Sequence, residues 1–268
     1  MNARAVPVVF GLLALLSCGV RDNDPHSDGG APSTLGTGAR IKDVSNPGLP
    51  NHPKNLSNVM VTGATVTLTD TFDETRNGKS RGNIFVQDVD SQEPFSGMTL
   101  FSPTFIPGDL RVAPGDVLDL NGQYQEIASL GTAVFPVPQV LLEIAKPVAT
   151  FRFEYKAPVP RVIDVADLDS YDKGRQWMGM LVTIQNVTLL DDLVDSACAK
   201  SGTNTGRLSA HLTAAKQGAL VNELYPIKAD DCVGGAFAAG THFASITGIA
   251  TYFFTMHLAP RSADDFVK

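Results

Sequence analysis

The fold is decided by residues 59–68, which read Val59-Met60-Val61-Thr62-Gly63-Ala64-Thr65-Val66-Thr67-Leu68. The stretch is rich in valine and threonine, whose β-branched side chains favour strands, and a single glycine interrupts it. A glycine inside a strand is typical of a bulge or a sharp bend. The stretch therefore predicts a long strand that bends at Gly63 and curls between two halves of a barrel.

Four further strand-like runs follow this stretch at short intervals. Turn-forming residues such as Pro114-Gly115-Asp116 separate them, and no convincing helical pattern lies between them. Five short strands, the first of them bent, predict a small closed barrel. The four runs are Asn83–Asp88, Gly97–Phe101, Val117–Tyr124 and Val140–Ile144.

The second half of the chain repeats this pattern less regularly. Its predicted strands are Trp177–Thr188, Gly206–Leu212 and the closing hairpin Ile246–Phe266. Thr213–Leu224 is the one predicted helix. Because Ile246-Thr247-Gly248 is similar to Leu120-Asn121-Gly122 in the first half, an internal duplication is expected.

These runs resemble the OB-fold modules of secreted bacterial proteins, which occur beside extracellular endonuclease/exonuclease domains and in surface lipoproteins. The resemblance rests on Val61-Thr62-Gly63, Gly82–Asp88, Gly115–Gly122, Trp177–Thr188 and the closing hairpin. It implies an all-β fold of two OB-like five-stranded β-barrels in tandem, with one short helix in the second. The motifs are strand and turn signatures, so they indicate a fold and no particular chemistry.

The first eighteen residues resemble the leader of a bacterial lipoprotein. An apolar run from Val8 to Leu16 is too short to span a bilayer but has the length of a secretory signal. It ends in Leu15-Leu16-Ser17-Cys18, which resembles a lipobox and implies cleavage before Cys18 and its acylation, for example with palmitate. Glycine at position 19, directly after the cysteine, resembles the signal that sorts lipoproteins to the outer membrane. The alternative is an ordinary secretory leader in which Cys18 is discarded.

The domain organisation follows from these segments. Residues 19–40 contain few apolar side chains and are predicted to form a flexible tether, because they cannot bury enough surface to fold. The junction between the barrels is expected between Pro147 and Pro160. The predicted domains are a lipoprotein signal peptide at 1–17, a lipidated tether at 18–40, a first barrel at 41–150 and a second barrel at 151–268.

The chain has three cysteines. If Cys18 is lipidated, Cys198 and Cys232 remain, and an oxidising compartment favours a disulfide between them. The alternative of a redox or nucleophilic pair lacks a C-x-x-C spacing.

No sequence pattern indicates catalysis. The chain has no nucleophile elbow, P-loop, dinucleotide fingerprint or H-E-x-x-H motif, and none of the nuclease domain that accompanies similar modules. We therefore expect a protein that is not an enzyme and that has neither a cofactor nor a metal. His242 and His257 are interpreted as histidines without a metal role, and the alternative is that they bind zinc. Three acidic clusters are interpreted as solvated loop charge, and the alternative is that they bind calcium. The clusters are Asp70, Asp73 and Glu74; Asp88 and Asp90; and Asp191, Asp192 and Asp195.

Charge argues against a protein that coats nucleic acid, since 28 acidic side chains outnumber 21 basic ones and the formal charge is −7. A local ligand site is still expected around Arg76, Lys79, Arg81 and Phe85. The resemblance places these residues on the first hairpin loop and the neighbouring strand, where OB-folds bind ligands. Phe101, Phe105 and Arg111 extend this site. The alternative is that Phe85 and Phe101 point into the core and that the basic residues only solubilise a loop.

These observations predict a non-catalytic cell-envelope lipoprotein, anchored to the bacterial outer membrane through its N-terminal lipid. Its expected ligand is single-stranded nucleic acid or an oligosaccharide, bound on an OB-fold face. One alternative is a structural or assembly lipoprotein that contacts envelope proteins, and another is an accessory to a secreted nuclease. Trp177 either stacks on a sugar or base or caps a barrel end against Pro158 or Pro160.

Overall fold

The computed structural model describes residues 35–69, 83–101, 112–130, 132–190, 192–193, 208–214, 225–229 and 237–268. Within these residues the fold is mostly β, as expected. The strands of the first half are β1 (Asn58–Thr69), β2 (Ile84–Asp88), β3 (Gly97–Phe101), β4 (Asp116–Ile127), β5 (Ser129–Leu130), β6 (Ala133–Val134) and β7 (Leu141–Glu154).

Five of these strands form one closed sheet. β1 pairs antiparallel with β2 and with β4, β2 with β3, and β4 with β7. β3 and β7 pair in parallel, which closes the sheet into a barrel in the order β1-β2-β3-β7-β4. The short β5–β6 hairpin lies in the loop between β4 and β7.

β1 bends where its glycine predicted a bend. Gly63 has a φ of 71°, and the register of β1 against β4 shifts between Val61 and Ala64. Glycine adopts such a φ without strain, and the bulge lets one strand turn from β4 towards β2. The predicted bulge at Gly63 is therefore confirmed.

The second half forms another sheet with the same order of pairing. Its strands are β8 (Arg161–Val162), β9 (Leu181–Leu189), β10 (Leu208–Ala214), β11 (Tyr225–Ala229), β12 (His242–Phe253), β13 (Thr255–Ala259) and β14 (Phe266–Val267). β9 pairs antiparallel with β10 and β12, β10 with β11, and β12 with β13. β11 and β13 pair in parallel, and the two-residue strands β8 and β14 are added to β9 and β12.

The helices differ from the expectation. The described ones are α1 (Ile41–Ser45), α2 (Tyr171–Gly174) and 3₁₀ turns at Val165–Leu168, Arg175–Trp177 and Ala263–Asp265. The predicted helix Thr213–Leu224 is wrong at its start, because β10 continues to Ala214 and Thr213 pairs with Thr188 of β9. Residues 215–224 lie outside the described residues.

The structure also changes two expected boundaries. β7 runs past Pro147 and past residue 150 to Glu154, so the connection to β8 lies within residues 155–160. At the end of the predicted tether, Ala39 N donates to Met60 O at 2.9 Å and Thr62 N donates to Ala39 O at 3.0 Å. Ala39 therefore already pairs with β1.

The core of the described residues runs without interruption through both sheets. Gly97 of β3 and Gly179, just before β9, bring the two backbones together: a Cβ on Gly97 would lie 2.3 Å from Met180 N. Only residues without a side chain permit this approach. Residues Leu35–Lys268 accordingly form one compact unit.

Candidate functional site

The outer face of β2 is the part of the predicted ligand site that the structure describes. Ile84 and Val86 belong to the main core, so Phe85 and Gln87 lie on the opposite face of the strand. Both are nevertheless buried, with 7% and 0% of their surface exposed. A second layer of the protein therefore covers this face.

That layer is the start of β9 together with β12. Phe85 packs in a separate apolar cluster with Leu181 and Ile249. Gln87 Oε1 accepts a hydrogen bond from Leu181 N at 2.9 Å, which satisfies a buried backbone donor. The contact between Gly97 and Gly179 continues the same interface on β3. Phe85 is thus not exposed for stacking on a base or a sugar.

The other residues expected in that site fall mostly outside the described part of the chain. Phe101 ends β3 and is half-buried. The expected residues not described are Arg76, Lys79, Arg81, Phe105 and Arg111 in the ligand site, Cys18 in the lipidation site, Cys198 and Cys232 in the disulfide, and Asp70, Asp73, Glu74, Asp191 and Asp195 in the acidic clusters.

Asp88 has a structural role that neither sequence interpretation anticipated. Its side chain is 1% exposed, so it is not a solvated loop charge. Oδ1 accepts hydrogen bonds from Ile41 N at 2.8 Å and Arg40 Nε at 3.1 Å, and Oδ2 accepts one from Lys42 N at 3.0 Å. Burial raises the pKa of Asp88, while the backbone donors and Arg40 oppose that shift. The carboxylate thus joins the N-terminus of α1 to the end of β2.

The histidines considered for zinc bind neighbouring threonines. His242 Nδ1 lies 3.3 Å from Thr188 Oγ1, and His257 Nε2 lies 2.8 Å from Thr255 Oγ1. Across the described ranges, no group of three or more His, Cys, Asp or Glu side chains is placed to hold a metal ion.

Trp177 is 7% exposed and belongs to the main core. Its Nε1 is buried and has no hydrogen-bond partner within the described residues. The ring is therefore not placed to stack on a sugar or a base.

The sequence interpretation overlooked an exposed apolar surface, here called the apolar end. It consists of the described residues of the 128–140 loop, which are 128–130 and 132–140, and the turn between β12 and β13. Phe135 is 2% exposed, and its ring centroid lies 5.3 Å from that of Tyr252, 5.9 Å from Phe253 and 5.0 Å from Phe254. All three contacts are edge-to-face, a favourable arrangement for aromatic pairs. Phe135 therefore joins the loop to the turn.

Large side chains at this end remain in contact with solvent. Val134 is 70% exposed, Val137 94%, Phe253 40% and Phe254 43%. Phe254 also has a φ of 62°, a left-handed conformation that is unfavourable for a bulky residue. A strained and exposed aromatic residue at the apex of a tight turn is typical of a surface with a function. The Phe253-Phe254 pair was the sequence signal for it.

A polar network lies beside the base of the apolar end. Glu126 Oε1 accepts hydrogen bonds from Arg175 Nη2 at 2.8 Å and from Tyr124 OH at 3.0 Å. Tyr171 OH donates to Val140 O at 3.0 Å, and its ring contacts that of Tyr252 with centroids 4.9 Å apart. Burial raises the pKa of Tyr124 and of Tyr171. These contacts hold the residue 128–140 loop between the two sheets.

Glu143 is a buried carboxylate on β7. Glu143 lies opposite Thr99 of β3 and Gln125 of β4 and is 6% exposed. Its carboxylate makes no hydrogen bond or ion pair with the side chain or backbone of another described residue. Burial raises its pKa to about 7. The group is thus a source of pH-dependent stability.

Comparison of the chain with protein-family models, with curated proteins and with solved structures found no match. Among the described segments, no helix is long and apolar enough to cross a bilayer.

Proposed function

We propose that the chain is a non-catalytic structural or assembly lipoprotein of the bacterial cell envelope, built on two OB-like barrels. The pairing orders support the OB-like assignment. In both halves the first strand pairs with the second and the fourth, and the third pairs in parallel with the fifth. An OB-fold is a five-stranded Greek-key barrel.

The structural role is proposed because the outer face of β2 and β3 is covered. OB-folds that bind oligonucleotides or oligosaccharides use the face of their second and third strands. Here Phe85, Gln87 and Gly97 on that face contact the second sheet. The chain's own second sheet covers this face, which disfavours ligand binding there and leaves the structural role as the better supported alternative.

The envelope location is proposed from the N-terminal sequence. Cys18 carries the lipid that anchors the chain to the outer membrane, and Cys198 and Cys232 form a disulfide in the oxidising compartment. Acidic side chains exceed basic ones, 28 to 21, which also disfavours a nucleic-acid ligand.

A binding titration separates the structural role from the ligand-binding alternative. The mature chain with Cys18→Ser is added to fluorescein-labelled single-stranded dT20 at low salt, and to chitohexaose in a calorimeter. We expect no saturable change in anisotropy and no saturable heat. The proposal is contradicted by saturable dT20 binding that weakens with salt and in a variant with Arg76, Lys79 and Arg81 changed to Glu. Saturable binding of chitohexaose contradicts it equally.

A further inference from the structure

We propose that the apolar end docks on a lipid bilayer of low net charge and thereby orients the two barrels on the membrane. The proposal depends on the proposed function only for the identity of the membrane, which the lipid on Cys18 would determine. The docking surface itself rests on described residues.

The tip of the residue 128–140 loop is suited to a medium that offers few hydrogen bonds. Val137 and the flanking Pro136 and Pro138 are all exposed, and the two prolines have no N–H group to satisfy. Phe135 N donates to Ala128 O at 2.9 Å, and Gln139 N donates to Pro136 O at 2.7 Å. From residue 135 to 139, only the N–H of Val137 lacks an acceptor in the described residues. An N–H group without a partner is costly in lipid, and among the described residues this tip presents one of them.

The two sequence segments that form the apolar end contain no acidic or basic residue apart from His257. The chain contains 28 acidic and 21 basic residues, yet neither residues 128–140 nor residues 246–260 include Asp, Glu, Lys or Arg. Charged side chains resist insertion, so their absence favours contact with the apolar boundary of a bilayer. The formal charge of −7 would be repelled by anionic headgroups, which is why we infer a surface of zwitterionic lipid.

The tip is already ordered before it binds. Phe135 is buried among Tyr252, Phe253 and Phe254, and Tyr252 OH donates a hydrogen bond to Gln139 Oε1. Val134 and Val137 are therefore presented by a supported loop, and docking does not require a segment to fold.

A segment of limited length joins the anchor to the described body. Leu35 is the first described residue, and 17 residues separate Cys18 from it along the chain, counting Leu35. Such a segment can span at most about 60 Å. Two valines and two half-exposed phenylalanines provide weak membrane affinity by themselves, so we infer that the lipid anchors and the tip orients.

A tryptophan reporter tests the contact directly. The mature chain with Cys18→Ser and Val137→Trp is mixed with phosphatidylcholine vesicles whose acyl chains carry bromine as a quencher. The lipid is supplied in large enough excess to populate the weak complex that the unlipidated chain forms. We expect a blue shift and quenching of the new tryptophan. Val148→Trp, at a β7 position that is 54% exposed, is the matched control and should show neither effect. The native Trp177 is buried and contributes the same background to both variants.

Charge substitution provides a second measurement. The double variant Val134→Asp and Val137→Asp should partition into the same vesicles at least about tenfold less than the parent protein. The matched double variant Val148→Asp and Val162→Asp changes two valines that are each 54% exposed and should partition like the parent. Far-UV circular dichroism verifies that both variants are folded.

Three results would overturn the docking proposal. The first is a tryptophan at position 137 that vesicles neither shift nor quench, and the second is unchanged partitioning of the aspartate variant. The third is a concentration-dependent dimer, formed without vesicles and abolished by Val137→Asp, which would assign the apolar end to a second copy of the chain. All probes lack the lipid, so a failure of the Cys18 anchor would appear separately, as mature protein without added mass at residue 18.

Discussion

Replacing Asp88 with asparagine should lower the free energy of unfolding by about 2 kcal/mol, because a backbone donor loses its acceptor. The substitution keeps the size of the side chain but removes its charge and turns one acceptor oxygen into a donor. Lys42 N, which donates to Oδ2 at 3.0 Å, then faces an NH₂ group, and Arg40 loses its carboxylate partner. The end of α1 that packs Ile41 and Val44 into the core would loosen as a result.

Urea unfolding at pH 7 measures this effect. Asp90→Asn is the matched control, because Asp90 lies two residues further on and is 57% exposed. Its ion-pair partner among the described residues is Lys156, at 3.6 Å. An exposed pair of this kind contributes about 0–1 kcal/mol. An Asp88→Asn variant within 1 kcal/mol of the Asp90→Asn control would show that the carboxylate does not join α1 to β2.

Replacing Glu143 with glutamine should have the opposite sign and should depend on pH. Burial raises the pKa of Glu143 from 4.5 to about 7 in the folded protein, so between these values the folded state holds a proton that the unfolded state has lost. Stability of the wild-type protein therefore falls as pH rises from about 4.5 to about 7 and then levels off. At pH 8 the buried carboxylate destabilises the fold by about 3 kcal/mol.

Glutamine cannot ionise, so Glu143→Gln should be more stable than wild type by that amount at pH 8 and nearly equal to it at pH 4, below both pKa values. Urea unfolding at the two pH values measures the difference. Glu154→Gln is the control, because Glu154 is exposed at the end of the same strand and its substitution should change little at either pH. A Glu143→Gln variant that gains nothing at pH 8 would mean that the carboxylate is solvated or partnered in the folded protein.

The strands of the first barrel were largely predictable. The sequence placed the first strand at Val59–Leu68 and the structure has it at Asn58–Thr69, because valine and threonine density and one glycine are local signals. The fourth and fifth strands extend further than predicted, to Ile127 and Glu154. Pairing across the sheet decides where a strand ends, and one strand read alone does not reveal it.

The covered face was harder to predict. Alternation in a strand says that Phe85 and Ile84 point in opposite directions, but it does not say what covers each side. The continuous apolar run Ile84-Phe85-Val86 was the available signal, since strands buried on both faces have such runs. Gln87 carried no signal, because its role is to accept from a backbone group 94 residues away in sequence.

The second half was predicted less well for two different reasons. The short helical turns between Val165 and Trp177 are too brief for a helical pattern, although Asp164 and Ser170 both cap them with their side chains. At Thr213 the pairing of β10 with β9 overrides any local helical preference. The apolar end combines loops more than 100 positions apart, so only the fold brings Phe135 and Phe254 together.

The central claim is that the second sheet covers the outer face of β2 and β3. Thiol labelling of Gln87→Cys, in the mature chain with Cys18→Ser, tests it most directly. Asn121→Cys on the exposed outer face of β4 is the control, and the Cys18→Ser chain gives the background of the remaining cysteines. A covered position reacts only through opening of the structure, so we expect Gln87→Cys to react at least about a hundredfold more slowly than Asn121→Cys. Equal rates of labelling in the folded protein would show that this face is open to solvent. The face would then again be a candidate surface for ligand binding.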